Sequence, residues 1–353
     1  MMNSSTLFNV SLVFYLAATV AYFIYLAFRN EKVGLGATLV TAVGFLVQTA
    51  AIGMRWRESY DMGFGHIPLS NMYESMVFWS WSIILIYLVF ERVYRSRSLG
   101  VIAAPLGFLA IASISIAPNI SQEIEPLVPA LQSNWLTVHV ITSFLGYAGF
   151  TISFGVSVLY LILSAEKRKD PFYIVGMASL VTMLTLFAAT ILDFVVQKVA
   201  GAAQPHLFAA SFASHAPGVK IVSWIAAVGI FALFWYVGTL YHERLAALFP
   251  GLRILDDLSY KMIMIGFPLL TLGIVTGAAW ANYAWGTYWS WDPKETWSLI
   301  TWLIYAAFLH ARFTAGWRGK STAVLSVIGF AAVLFTYIGV NFVLSGLHSY
   351  GSS

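Results

Sequence analysis

Val10-Ser-Leu-Val-Phe-Tyr-Leu-Ala-Ala-Thr-Val-Ala-Tyr-Phe-Ile-Tyr-Leu-Ala-Phe28 carries no charge over a length that, wound as an α-helix, crosses the hydrocarbon core of a bilayer. Similar apolar runs recur near residues 34–54, 73–91, 99–117, 135–164, 172–193, 219–241, 260–281, 295–311 and 321–345. Backbone groups left unpaired in lipid are costly, so such runs must be helices unless they close into a barrel, and no alternating strand-like pattern is present. An all-α, polytopic transmembrane helical bundle of about 8–10 spans is therefore predicted, a single integral membrane domain over residues 1–353. The first run lacks a preceding basic region and a small-residue cleavage site, so it reads as a span and not as a cleaved signal peptide. Residues 170–259 are read as a connector with two possible extra spans flanking Gln197 to Lys220, or as a re-entrant hairpin; either adds an even number of crossings.

Composition agrees with a membrane as solvent. Of 353 residues, 59% are hydrophobic and 10% charged, and the mean hydropathy is +0.79, which excludes an ordinary water-soluble domain. There are no cysteines, so the chain carries no disulfide, thiolate nucleophile or CxxC pair. The net charge of +4 comes from small clusters between apolar runs, not from a basic stripe of the kind that binds nucleic acid. With the N-terminus outside, the inner connectors hold Arg29, Lys32, Arg92, Arg95, Arg97, Lys167, Arg168, Lys169, Arg244, Arg253, Lys261, Arg312, Arg318 and Lys320. The outer connectors then hold only Arg55, Arg57, Lys198, Lys220 and Lys294. That asymmetry is the positive-inside pattern, and it puts both termini on the outer side.

One outer segment stands apart: Trp280-Ala-Asn-Tyr-Ala-Trp285-Gly-Thr-Tyr-Trp289-Ser-Trp291-Asp292-Pro-Lys-Glu295-Thr-Trp297. An interfacial aromatic belt accounts for tryptophans at this level of a membrane, and Asp292-Pro-Lys-Glu295 has the form of an N-cap, a first-turn proline and a capping-box acid. A belt does not explain why flat aromatic faces crowd beside one helix start. That arrangement suits a large planar apolar ligand with anionic groups, such as a porphyrin. Histidine is a common axial ligand of heme iron. His139 stands near the outer start of its span and His348 at the outer end of the last one, both level with the Trp-rich segment. His310 lies sixteen residues from Lys294, about 24 Å along a helix and so near the inner edge of the core. His66, His206 and His215 read as loop residues.

These segments resemble the CcsA (ResC) family of system II cytochrome c biogenesis, heme-handling membrane proteins named for a WWD motif. The resemblance is carried by Gly65-His-Ile-Pro-Leu-Ser-Asn-Met-Tyr-Glu-Ser75, by Leu127-Val-Pro-Ala-Leu-Gln-Ser-Asn-Trp135 leading into His139, by Trp280 to Trp302, and by Gly346-Leu-His-Ser-Tyr-Gly351. Residues 170–255 depart from the shorter, more polar connector of plastid members. The resemblance implies that His139 and His348 are the axial ligands of an outward-facing heme b. Under that heme would lie an outer Trp-rich WWD loop, residues 276–302, with Trp285, Trp289, Trp291 and Asp292. It implies that His310 ligates a second, deeper heme, whose other ligand comes from a CcsB (ResB) partner; His242 is the alternative within this chain.

The implied activity is export of heme and its presentation to the CxxCH segment of apocytochromes c, whose cysteines supply both sulfurs. In that reading the chain is the heme-presenting subunit of a two-protein cytochrome c synthase, working with thiol-reducing pathway proteins in a thylakoid or bacterial plasma membrane. No catalytic side chain is assigned; positioning does the work. The alternatives are a secondary transporter of another small solute, which the scarcity of mid-span acids disfavours, and a colourless assembly scaffold.

Overall fold

A computed structural model of the chain describes residues 3–116, 121–165, 169–200, 217–240, 243–244 and 247–344. Among them every regular element is helical: α1 Ser4–Phe28, α2 Glu31–Asp61, α3 Met72–Tyr94, α4 Gly100–Ile116, α5 Asn134–Leu163, α6 Pro171–Ala200, α7 Pro217–Leu240, α8 Leu252–Trp285, α9 Pro293–Thr314 and α10 Lys320–Leu334. A π-helical turn over Phe335–Gly339 continues α10 into the short α11, Val340–Val343. Starts are written in the sequence. Asn3, Asn30, Asn71 and Ser133 each accept a backbone N–H of the first turn that follows, for α1, α2, α3 and α5 in that order.

Six helices are long and apolar enough to cross a membrane: Ser4–Phe28, Glu31–Asp61, Met72–Tyr94, Asn134–Leu163, Leu252–Trp285 and Lys320–Gly339. The chain is thus an all-α, polytopic membrane protein. The helix α9, expected to span over residues 295–311, falls short of those six because its apolar residues share it with Lys294, Glu295, His310 and Arg312. Within 170–259, α6 and α7 contain shorter apolar stretches, Pro171–Thr185 and Ala227–Leu240.

The helix α5 is the most enclosed of the six, and its main neighbour is α8. Where they cross, backbone touches backbone: a Cβ on Gly266 would lie 2.9 Å from the Gly146 carbonyl oxygen. Lipid tails are as apolar as leucine, so helices in a bilayer associate through close fit and polar contacts. Gly266→Val is expected to force these helices apart and cost about 1–3 kcal/mol, read as a lower thermal unfolding midpoint of the detergent-solubilised protein. Further along, the Ser153 hydroxyl meets those of Ser259 and Ser326 at 2.8 and 2.9 Å, and Ser157 meets Ser259 at 2.8 Å. Hydroxyl groups thus link α5, α8 and α10 in the core. Beside them Phe150 of α5 stacks on Tyr305 of α9, with ring centroids 3.6 Å apart.

Consecutive helices run alternately, so the bundle has two chemically distinct ends. One gathers ion pairs: Arg97 with Glu31 (2.6 Å), Arg312 with Asp256 (2.7 Å) and Lys320 with Asp170 (2.7 Å). Lys320, helped by the Phe172 N–H, holds the Asp170 carboxyl below its usual range. The other end gathers the start of α3, the start of α5, the end of α8 and the start of α9, with the tryptophans. Arg55, read from the sequence as a connector charge, is not in a connector. It lies inside α2, 2% exposed, with its Nε 2.7 Å from the Glu74 carboxylate.

Candidate functional site

At the tryptophan end a cavity of about 110 Å³ is lined by residues that include His139, Trp280, Trp289, Lys294, Glu295 and Tyr337. That is below the roughly 300–1,000 Å³ of pockets that enclose a whole drug-sized ligand.

His139 is placed by the close approach of α5 and α8. Its half-buried ring lies against Gly277, where a Cβ would come within 2.6 Å of Nδ1, so only glycine leaves it room. Nδ1 is 2.7 Å from the Gly273 carbonyl oxygen. A carbonyl only accepts, so Nδ1 carries the proton and the lone pair falls on Nε2. This is the arrangement by which a hydrogen bond on one ring nitrogen orients the other toward a metal. The Trp280 ring runs nearly parallel to the imidazole, 16° between planes with centroids 6.3 Å apart, and is anchored by its Nε1 donating to the Ala130 carbonyl at 2.8 Å. Trp285 packs edge-on against Trp280 at 4.8 Å.

Of residues 276–302, expected as an outer loop, the non-helical connector is only 286–292; the flanks are the end of α8 and the start of α9. The cause is local. Gly286 ends α8 in the left-handed conformation (φ 76°), and Asp292 starts α9 through a capping box with Glu295. Asp292 is buried, and its carboxylate accepts the Lys294 N–H at 3.0 Å. The Glu295 carboxylate accepts the Ser290 N–H at 2.8 Å and the Asp292 N–H at 3.3 Å. Between these bonds Trp291 is held at φ 60°, a conformation that a bulky residue rarely adopts, and its ring is 68% exposed. Trp289 meets it edge to face at 5.8 Å.

Of the other expected residues, His310 sits in the last turns of α9, with its side chain exposed and its carbonyl accepting the Thr314 hydroxyl. It is at the ion-pair end, away from His139, beside the Arg312–Asp256 pair. His348 lies outside the described residues, and with it the pairing with His139; so do His206, His215 and His242. His66 is buried, and its two ring nitrogens face the carbonyls of Ile67 (3.1 Å) and Glu125 (3.0 Å), so it ties two loops together.

Sequence reasoning missed Lys294, taken only as an outer charge. Its Nζ turns to Asn341 Oδ1 at 3.1 Å and lies 5.6 Å from the Tyr337 ring centre, on the cavity wall. It also missed the Gly273 and Gly277 seat, although two glycines four apart share a helix face. Among the described residues no three His, Asp or Glu side chains come together as a metal site. The donor set suits iron whose equatorial positions are already filled, as in a porphyrin, and which needs an axial imidazole.

Fold and site define a class: a polytopic membrane protein with an oriented histidine beside a tryptophan-walled cavity at one end of the bundle. A profile described as Cytochrome C assembly protein matches residues 69–348. A protein of Gloeobacter violaceus named "Cytochrome c biogenesis protein CcsA" is 39% identical, covering 97% of this chain and 94% of its own. Those of the same name from Microcystis aeruginosa and Pyropia yezoensis are 39% and 38% identical, covering 90% and 95% of this chain and 88% and 93% of their own. The chain belongs to the CcsA family of cytochrome c biogenesis proteins.

Proposed function

We propose that the chain binds heme b in the membrane, carries it outward and presents it for thioether attachment to the CxxCH segment of apocytochromes c, as the heme-presenting subunit of a synthase formed with a CcsB (ResB)-type partner. The tryptophan end then faces the periplasm or the thylakoid lumen, with both termini on that side and thiol-reducing proteins supplying reduced acceptor cysteines. The observation that carries the proposal is the imidazole of His139, held by its Nδ1 on the Gly273 carbonyl, the tautomer that puts the lone pair on Nε2, with its ring alongside Trp280.

In this reading His139 and His348 would supply the two imidazoles that hold the iron, and the acceptor's own histidine would take the place of one of them. Trp280 and Trp289, on the cavity wall, would keep water from the bound macrocycle, with Trp285 packed against Trp280 and Trp291 exposed at the aqueous edge. Asp292 and Glu295 keep that wall in place. Each attachment adds a thiol across a vinyl double bond, sulfur to one carbon and hydrogen to the other, so no oxidant is consumed. The chain contributes orientation and proximity, for which well-placed reactants gain several kcal/mol of barrier. His310, exposed near the opposite end, would hold the earlier heme together with an imidazole of the partner.

The test is spectroscopic. Purified with its partner, the protein is expected to show a Soret band, and His139→Ala and His310→Ala are each expected to remove a different part of it. A colourless preparation, or a His139→Ala spectrum identical to the unmodified one, would overturn the proposal in favour of a transporter or an assembly scaffold.

A further inference from the structure

We infer that a second cavity, at the ion-pair end of the bundle, binds the phosphate headgroup of an anionic membrane lipid through Arg253 and Arg318. The site lies at the opposite end from His139 and stands independently of the heme reading above.

The cavity measures about 460 Å³ and is lined by residues that include Tyr94, Ser96, Arg253, Ile254, Arg312 and Arg318. That volume falls among the roughly 300–1,000 Å³ of pockets that take a small molecule. Three separate parts of the chain form it: the end of α3, the start of α8, and the end of α9 with the turn into α10. An acid is the charge that favours a first helical turn, yet the opening turn of α8 has none and carries Arg253. Helix stability does not select a cation there; recognition of an anion does.

Charge balance at the wall is the first reason. Its two acids, Asp256 and Asp257, are both answered from within the chain. Asp256 pairs with Arg312 at 2.7 Å and also accepts the Gly319 N–H at 2.9 Å, while Asp257 pairs with Lys261 at 2.7 Å. Among the described residues Arg253 and Arg318 enter no ion pair. Two guanidinium groups thus border one cavity without a carboxylate of this chain to balance them, and like charges brought to one place repel. A phosphate between them turns that repulsion into attraction. The guanidinium fork matches phosphate oxygens two at a time, through charge-assisted hydrogen bonds.

The apolar surroundings are the second. Ile254 on the wall is 51% exposed, and Phe313 and Trp317, next in sequence to Arg312 and Arg318, are 66% and 47% exposed. Bare apolar side chains interleaved with arginines, a tryptophan among them, mark the headgroup level of a bilayer. A free phosphate ion uses only the guanidinium groups. A lipid uses both halves of this surface, with its headgroup in the cavity and its acyl chains along Ile254 and Phe313. Basic pockets between membrane helices suit anionic headgroups for this reason.

The experiment reads lipid retention by native mass spectrometry of the full chain, released from mixed micelles that hold phosphatidylglycerol and phosphatidylcholine in equal parts. It is run at about 0.15 M ammonium acetate, where exposed charges more than about 8 Å apart are largely screened. The unmodified protein is expected to retain phosphatidylglycerol over phosphatidylcholine by about tenfold or more. Arg253→Gln with Arg318→Gln should bring that ratio near one. Arg92→Gln with Arg95→Gln removes as much charge from exposed positions at the same end and should leave the ratio as it was. Equal retention of the two lipids by the unmodified protein overturns the site, and an equal fall in both double variants reduces it to diffuse surface charge. If excess inorganic phosphate raises the thermal unfolding midpoint as much as phosphatidylglycerol does, the ligand is a free anion and the lipid assignment is wrong. Arg253→Gln with Arg318→Gln should melt like the unmodified protein in phosphatidylcholine alone; a much lower midpoint marks a structural role and overturns the site. Loss of the His310-dependent Soret absorption in that variant assigns the cavity to the porphyrin instead.

Discussion

Replacing Arg55 by Ala is expected to destabilise the folded protein by about 3–5 kcal/mol, because it strands a buried carboxylate. Glu74 is fully enclosed; one of its oxygens takes Arg55 Nε at 2.7 Å and the other takes the Ser70 N–H and hydroxyl at 2.9 and 2.7 Å. Arg55 also donates to the Glu123 carbonyl at 3.1 Å and lies over the Tyr73 ring at 5.3 Å. The pair therefore locks α2, the start of α3 and the chain leading to α5 at the tryptophan end. Thermal unfolding followed by circular dichroism in detergent checks the value. The double variant Arg55→Met with Glu74→Met removes both charges together and is expected to recover most of the loss. If the single variant melts like the unmodified protein, the pair contributes nothing to the fold.

The second large effect is functional. Gly277→Val puts carbon where the His139 ring now sits, since even a Cβ would come within 2.6 Å of Nδ1 and 2.8 Å of Cε1. The imidazole must move, and its bond to the Gly273 carbonyl breaks. A displacement of about 1 Å at a positioning group costs on the order of 10²-fold in rate. Holocytochrome yield and the Soret band in cells making Gly277→Val should fall together. Adding the same change to His139→Ala should cost little more, because the ring it displaces is already gone. Unchanged yield in the single variant would show that the seat of His139 is immaterial.

How far the sequence went depends on the range of the physics involved. Among the described residues every apolar run read from it falls on a helix, because length and hydropathy are local properties and a bilayer admits little else. Helix ends were less legible: α2 runs on to Asp61 and α8 begins at Leu252, since a helix can continue past the lipid into polar residues. The start of α9 was readable from Asp292-Pro-Lys-Glu295, a signal contained in four residues. What stayed hidden depends on contacts between distant segments. Nothing near Lys294 announces Asn341, 47 positions away, and nothing near His139 announces Gly273, 134 positions away. Arg55 looked like a loop charge because its partner lies across a turn, on another helix. The resemblance of the motifs picked out His139, His310, His348, Trp285, Trp289, Trp291 and Asp292, of which His348 lies outside the described residues. The geometry adds what holds them: a glycine seat for His139 and a capping box at Asp292 for the loop.

The backbone of Trp291 has one more consequence. A non-glycine residue in the left-handed region is strained by of order 1–3 kcal/mol and persists only where its surroundings over-determine it. Glu295 supplies that constraint by gripping the chain on both sides of the residue. The aromatic shelf is thus rigid before any guest arrives, and docking need not forfeit the freedom of a floppy loop, a saving of about 0.5–1.5 kcal/mol for each side chain spared. The segment that carries Trp289 and Trp291 is thus a mould cast in advance by the helix start that follows it.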